Sequence, residues 1–65
     1  MKMSDFKTRL IAEKDELKEK VEKLRVFLES KKSEEIEEFQ LTMLRVQLSA
    51  MNTYLGCLLA RLTKL

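Results

Sequence analysis

Between Leu41 and Leu65 the apolar residues Leu41, Leu44, Leu48, Met51, Leu55, Leu58, Leu62 and Leu65 recur in alternating steps of three and four. That spacing is the a/d seam of an α-helix that must bury one side against other helices. No seam position is polar. Proline is absent and Gly56 is the only glycine, which leaves too little turn chemistry for a fold built from β-hairpins. The expected class is therefore all-α.

An earlier stripe, Leu10, Leu17, Val21, Leu24 and Leu28, marks one face of a first helix over about residues 4–29, with Phe6 and Phe27 on its flank. Ser4 is the expected N-cap, and Asp5 suits the positive end of the helix dipole. Lys14 falls within the stripe. It either lies along the surface with its ammonium in water or aims a cation at an interface or ligand. The outer face carries the acid-first pairs Asp5/Arg9, Glu16/Lys20 and Glu19/Lys23, each worth about 0.3 kcal/mol to the helix. Such a face is solvated.

The two stripes do not continue one another. Extending the first by sevens from Leu24 and Leu28 lands on Lys31, Glu38 and Arg45, and on Glu35 and Thr42, whereas the second runs through Leu41 and Leu44. The offset is one residue, about 100° around a helix axis. A straight two-stranded coiled coil cannot absorb it, but an antiparallel hairpin can. Ser30-Lys31-Lys32-Ser33 is the expected turn, with Lys31 and Lys32 at the negative end of the first helix. Ser33 is then the cap of a second helix over about residues 34–64, and Glu34 and Glu35 lie in its first turn.

The chain reads as one domain, residues 1–65. A domain this small buries only roughly 60% of its unfolded surface and normally needs a disulfide, a metal or a partner. Cys57 is the single cysteine and histidine is absent, so an internal disulfide and a common zinc site are both excluded. A symmetric homo-oligomeric bundle is the expectation. Its candidate interface residues are Leu44, Leu48, Met51, Leu55, Leu58 and Leu62 on the seam, with Met43, Ala50 and Cys57 on a neighbouring apolar row. Cys57 reads as a small buried hydrophobe, since no histidine can activate it.

Opposite the seam lie small or hydroxylated residues: Thr42, Ser49, Thr53, Gly56, Ala60 and Thr63. This stripe is either a solvated face or a place where another chain approaches closely. At one edge of the seam run Gln47, Tyr54 and Arg61, which supply an amide, an aromatic face and a phosphate-binding fork. These three are the leading candidate ligand contacts. Arg45 and Asn52 on the other flank, and Lys14 and Arg9 from the first helix, complete the candidate set. Ordinary helix-to-helix contacts would employ the same residues.

Charged residues make up 37% of the chain, but the net charge is only +2, so there is no broad basic field and no DNA partner is expected. No stretch is apolar enough for a signal peptide core or a membrane span, and a cytoplasmic protein with no membrane partner is expected. No cofactor or metal is implied. An enzyme is disfavoured by the absence of histidine, of a glycine-rich phosphate loop and of paired carboxylates on a buried face. The acidic cluster Glu34, Glu35, Glu37 and Glu38 is explained by a helix N-terminus.

Two runs of residues carry a resemblance. In the first helix these are Arg9-Leu10, Glu13, Glu16-Leu17, Lys20, Lys23-Leu24 and Phe27-Leu28. In the second they are Leu44, Gln47-Leu48, Ala50-Met51, Tyr54-Leu55, Leu58 and Arg61-Leu62. Over nearly its whole length the chain resembles short helical proteins of bacteriophages, including crAss-like phages, and through them the phage anti-CBASS sponges. The resemblance implies a homo-oligomer, with a hexamer as the model. It further implies stoichiometric sequestration of a cyclic dinucleotide or trinucleotide immune signal in the host bacterium's cytoplasm, without turnover. Because the chain lacks the tryptophan of the sponge's second helix, the resemblance gives architecture and ligand class but assigns no residue. On this reading Arg61 or Arg45 holds phosphate, Tyr54 stacks a base, and Lys14 or Arg9 closes the site. The alternative is a self-associating helical module that binds and inhibits a host or phage protein.

Overall fold

The computed structural model describes residues 3–65, with side chains from residue 5 onward. It is all-helical: α1 spans Met3–Glu29, a 3-10 turn spans Lys31–Glu35, and α2 spans Glu38–Leu62. The two α-helices run antiparallel and pack along their apolar stripes. α1 already includes Ser4, so Ser4 lies within the helix rather than ahead of it, and its side chain lies outside the described residues.

The core is the meeting of the two stripes. Leu10, Leu17 and Val21 of α1 and Leu58 of α2 are buried, and Leu48, Met51, Leu55 and Leu62 pack against them. Leu58 has no exposed surface at all. The seam residues Leu44, Leu48, Met51, Leu55, Leu58 and Leu62 are thus engaged by α1 of the same chain. One helix partner already occupies the stripe, with Leu58 enclosed and the other five left partly exposed. The apolar row beside it has the opposite fate, since Met43, Ala50 and Cys57 are exposed in the single chain. Cys57 is therefore not a core residue of the hairpin.

The reversal is longer than the four residues expected. It occupies residues 30–37, and α2 begins at Glu38. Ser33 is the reason. It does not cap α2; it is buried, and its hydroxyl donates to the carbonyls of Ser30 (2.8 Å) and Leu28 (3.3 Å). The Ser30 hydroxyl likewise donates to the Phe27 carbonyl at 2.6 Å. At the end of α1 the Phe27 and Leu28 carbonyls, beyond the reach of the helix's own amides, accept these hydroxyls, and Phe27 also accepts the Ser30 N–H at 3.0 Å. The chain then passes through extended backbone at Ile36 before Leu41 N–H donates to the Glu37 carbonyl at 2.9 Å and α2 starts.

The charged outer face of α1 forms as its spacing predicts at Glu19–Lys23, where the pair stands at 2.9 Å. Arg25 adds a fork outside that acid-first i, i+4 pattern, bonding Glu22 (2.6 Å) and Glu29 (3.0 Å). The hydrogen bond from Arg25 holds the Glu22 carboxyl below its ordinary pKa, and Glu22 in turn raises Arg25. These pairs are exposed and contribute little to stability. Lys14, half-buried in the seam, has its ammonium paired with Asp15.

The hairpin is a rod of 47 × 17 × 15 Å with a radius of gyration of 15.0 Å, against about 11 Å for a compact chain of this length. Its accessible surface is 5242 Å², where a compact monomer of this mass exposes about 4300 Å². Two helices side by side leave each helix with an uncovered half. No helix among the described residues is long and apolar enough to cross a membrane.

Because Leu58 is fully enclosed while the adjacent Leu59 is 47% exposed, truncating them should have unequal effects. Leu58→Ala is expected to cost about 2–5 kcal/mol. Leu59→Ala should stay within about 0.5 kcal/mol. Urea unfolding followed by circular dichroism at matched protein concentration measures the difference.

Candidate functional site

At the open end of the hairpin, where the start of α1 lies against the end of α2, the side chains of Phe6, Arg9, Leu10, Glu13 and Arg61 line a shallow hollow of about 250 Å³. Helix geometry explains the grouping. Phe6 and Glu13 stand seven residues apart on one flank of the α1 stripe, and Arg61 stands on the flank of the α2 seam that faces them. Leu10, part of the core, forms the floor. The Arg61 guanidinium lies over the Phe6 ring, 5.8 Å from its centroid, a distance at which the cation is attracted to the ring's negative face.

Arg61 is also the basic residue in the last turn of α2, where a cation is favoured by the carbonyl end of the helix dipole. Just beyond it the Thr63 hydroxyl donates to the Ala60 carbonyl at 2.6 Å, closing the helix. The hollow thus offers an apolar floor, one aromatic ring, two guanidinium groups and one carboxylate. That set can hold a flat ring against Phe6, an anion between the arginines and a donor group on Glu13.

Of the candidates read from the sequence, Arg61 and Arg9 share this hollow. Tyr54 and Gln47 lie on the same row as Arg61, two and four turns away, about 10 and 21 Å along the axis. Tyr54 is 45% exposed, and the Gln47 amide makes a long contact of 3.9 Å to the Met51 sulfur. The contact of Arg61 with Phe6 sets the register, and heptad steps then bring Tyr54 level with Glu13 and Gln47 level with Lys20. These residues extend the flank as a strip running from the hollow toward the turn. Arg45 and Asn52 are exposed on the opposite flank of α2 and do not line the hollow. Lys14 is committed to Asp15 and does not line it either.

Besides the core residue Leu10, two lining residues, Phe6 and Glu13, were not among the candidate ligand contacts. Phe6 reads as the edge of a core stripe, and Glu13 as one of many surface acids. The signal that finds them is the antiparallel register, because the flank bearing Arg61 must face the α1 flank bearing Phe6 and Glu13. Among the described residues no group of histidine, cysteine, aspartate or glutamate could hold a metal ion.

The Phe6–Arg61 contact is a measurable coupling. In a double-mutant cycle of Phe6→Leu and Arg61→Gln, with stability read by urea unfolding, the pair is expected to show about 0.5–1 kcal/mol.

The family model for Sequestin matches residues 4–64, nearly the whole chain. No curated protein and no solved structure matches it.

Proposed function

The chain belongs to the Sequestin family, and from that premise we propose that it is a phage anti-defence sponge. In this reading it sequesters a cyclic dinucleotide or trinucleotide immune signal, without turnover, as a homo-oligomer in the cytoplasm of an infected bacterium. The family name speaks of sequestering. The observation that carries the ligand class is the hollow in which the Arg61 guanidinium covers the Phe6 ring and Arg9 stands beside them.

The physical basis is complementarity to a cyclic nucleotide, which combines phosphates with flat bases. A guanidinium fork binds phosphate oxygens through paired charge-assisted hydrogen bonds. An aromatic ring stacks a base, with about 1–3 kcal/mol per base at stake. Once Arg61 turns from the ring to a phosphate, the exposed face of Phe6 is available for stacking, with Tyr54 further along the same flank. One chain supplies a single shallow site, but a symmetric oligomer presents the same groups two or more times to a ligand that is itself repetitive. Affinity is then reached by multiplying a sparse site. No covalent step is required, and the ligand leaves as it arrived.

The second reading, a module that occludes another protein, rests on the uncharged outer face of α2. It requires a co-purifying polypeptide and no retained nucleotide. Native mass spectrometry separates the two. After incubation with a mixture of cyclic dinucleotides, cyclic trinucleotides and ADP-ribose-type signals, a discrete oligomer should hold a fixed number of nucleotides and release them intact on denaturation. Arg61→Ala should weaken retention about ten- to hundredfold, the loss of one charge-assisted contact, with helical content unchanged. An oligomer that retains none of these signals would overturn the proposal for them.

A further inference from the structure

The face of α2 turned away from α1 carries no charged side chain between Phe39 and Ala60. Its large apolar members are exposed: Phe39 by 62%, Val46 by 56% and Met43 by 43%. All three lie in the first half of the helix. In the second half the same face is made of Thr53, Gly56, Cys57 and Ala60. The face is therefore bulky at one end and flat at the other.

We propose that this face packs against the same face of a second copy, with the two α2 helices antiparallel about a two-fold axis beside Ser49 and Ala50. That axis passes through the middle of Glu38–Leu62, so the helices overlap along their whole length. Antiparallel pairing about it brings Phe39 level with Ala60 of the other copy, Met43 with Gly56, and Val46 with Thr53. The adjacent row brings Thr42 level with Cys57. Every bulky side chain meets a small one. A parallel pairing would set Phe39 against Phe39 and Val46 against Val46 while leaving a gap at Gly56, and so would splay the helices. The antiparallel arrangement also opposes the two helix dipoles favourably.

Gly56 supports the assignment independently. A Cβ at this position would meet nothing within 4 Å, so the hairpin itself does not require glycine there. Yet mid-helix glycine costs about 1 kcal/mol relative to alanine. Close approach by a second helix gives the missing side chain a use. Area agrees as well. Half the girth of a helix this long is roughly 600 Å² per chain, or about 1200 Å² for the pair, which reaches the lower bound of stable specific interfaces. With no charge on either surface, two copies meet without like-charge repulsion.

This inference gives the self-association proposed above a face and a direction, and it does not depend on a nucleotide being bound. Cysteine crosslinking of the full chain tests it. In the Ala50→Cys/Cys57→Ser variant the two thiols lie at the axis, and mild oxidation should give a disulfide-linked dimer. In the native chain the two Cys57 thiols are about fifteen residues out of step, about 22 Å along the axis, beyond disulfide reach. The native chain should stay uncrosslinked.

Gly56→Leu supplies a second reading, since the substitution has open space within its own chain. Helical content should be unchanged or raised, while self-association measured by sedimentation equilibrium weakens at least tenfold. Failure of the Ala50→Cys/Cys57→Ser variant to crosslink, equally fast crosslinking through native Cys57, or undiminished association of Gly56→Leu would each overturn the proposal. Crosslinking at position 50 without nucleotide retention would leave this interface standing and remove the sponge. Retention without that crosslink would do the reverse.

Discussion

The packing of the α2 seam, Leu58 foremost, against Leu10, Leu17 and Val21 of α1 is the contact on which the molecule depends. In a rod of two helices few side chains can be taken wholly out of water, and among the described residues Leu58 is the one with no exposed surface. That contact fixes the direction of α2 and its register against α1. Register then decides which flanks meet, and the meeting of flanks places Arg61 over Phe6. The chemistry at the open end is thus a consequence of leucine packing: if α2 slipped by one heptad, the same residues would be present but their hollow would not.

The two helices divide the remaining surface by polarity. α1 turns outward a lattice of acids and bases, including the Arg25 fork and the Glu19–Lys23 pair. Such a face is content in water and resists nonspecific contact. Away from Glu38, Arg45 and Arg61, α2 is uncharged. A protein with one strongly hydrated wall and one weakly hydrated wall has only one side suited to close packing. Assembly through α2 would leave the charged wall outermost, while the hollow sits at an end of the rod and need not be covered.

How much of this was legible in the sequence follows from which interactions are periodic. The leucine seam and the stripe from Leu10 to Leu28 are periodic, so helices, their buried faces and the reversal between them could be read directly. The phase slip between Leu28 and Leu41 excluded one continuous helix. The end of the reversal was not legible, because a serine next to glutamates looks like an N-cap whichever way its hydroxyl points. At Ser33 it points back, to Leu28 and Ser30. Arg9 and Arg61 could be singled out by charge on a seam edge, but Phe6 and Glu13 could not, since their role comes from pairing two distant segments at a particular register. That the seam would be occupied by its own chain depended on the same pairing. Patterning alone shows that a stripe needs a partner, not which one.

The reversal has an unusual economy. Among the described residues none adopts a left-handed backbone conformation, and the connection contains neither glycine nor proline. Two serine hydroxyls and ordinary right-handed and extended backbone turn the chain around. Many tight turns need glycine or asparagine because one of their residues takes a positive φ. This one does not, so the exposed Lys31, Lys32, Glu34 and Glu35 can be replaced without backbone strain as long as a short hydroxyl stands at Ser33. The bend is thus a segment that can take new side chains, or a label, while the register of the two helices stays as it is.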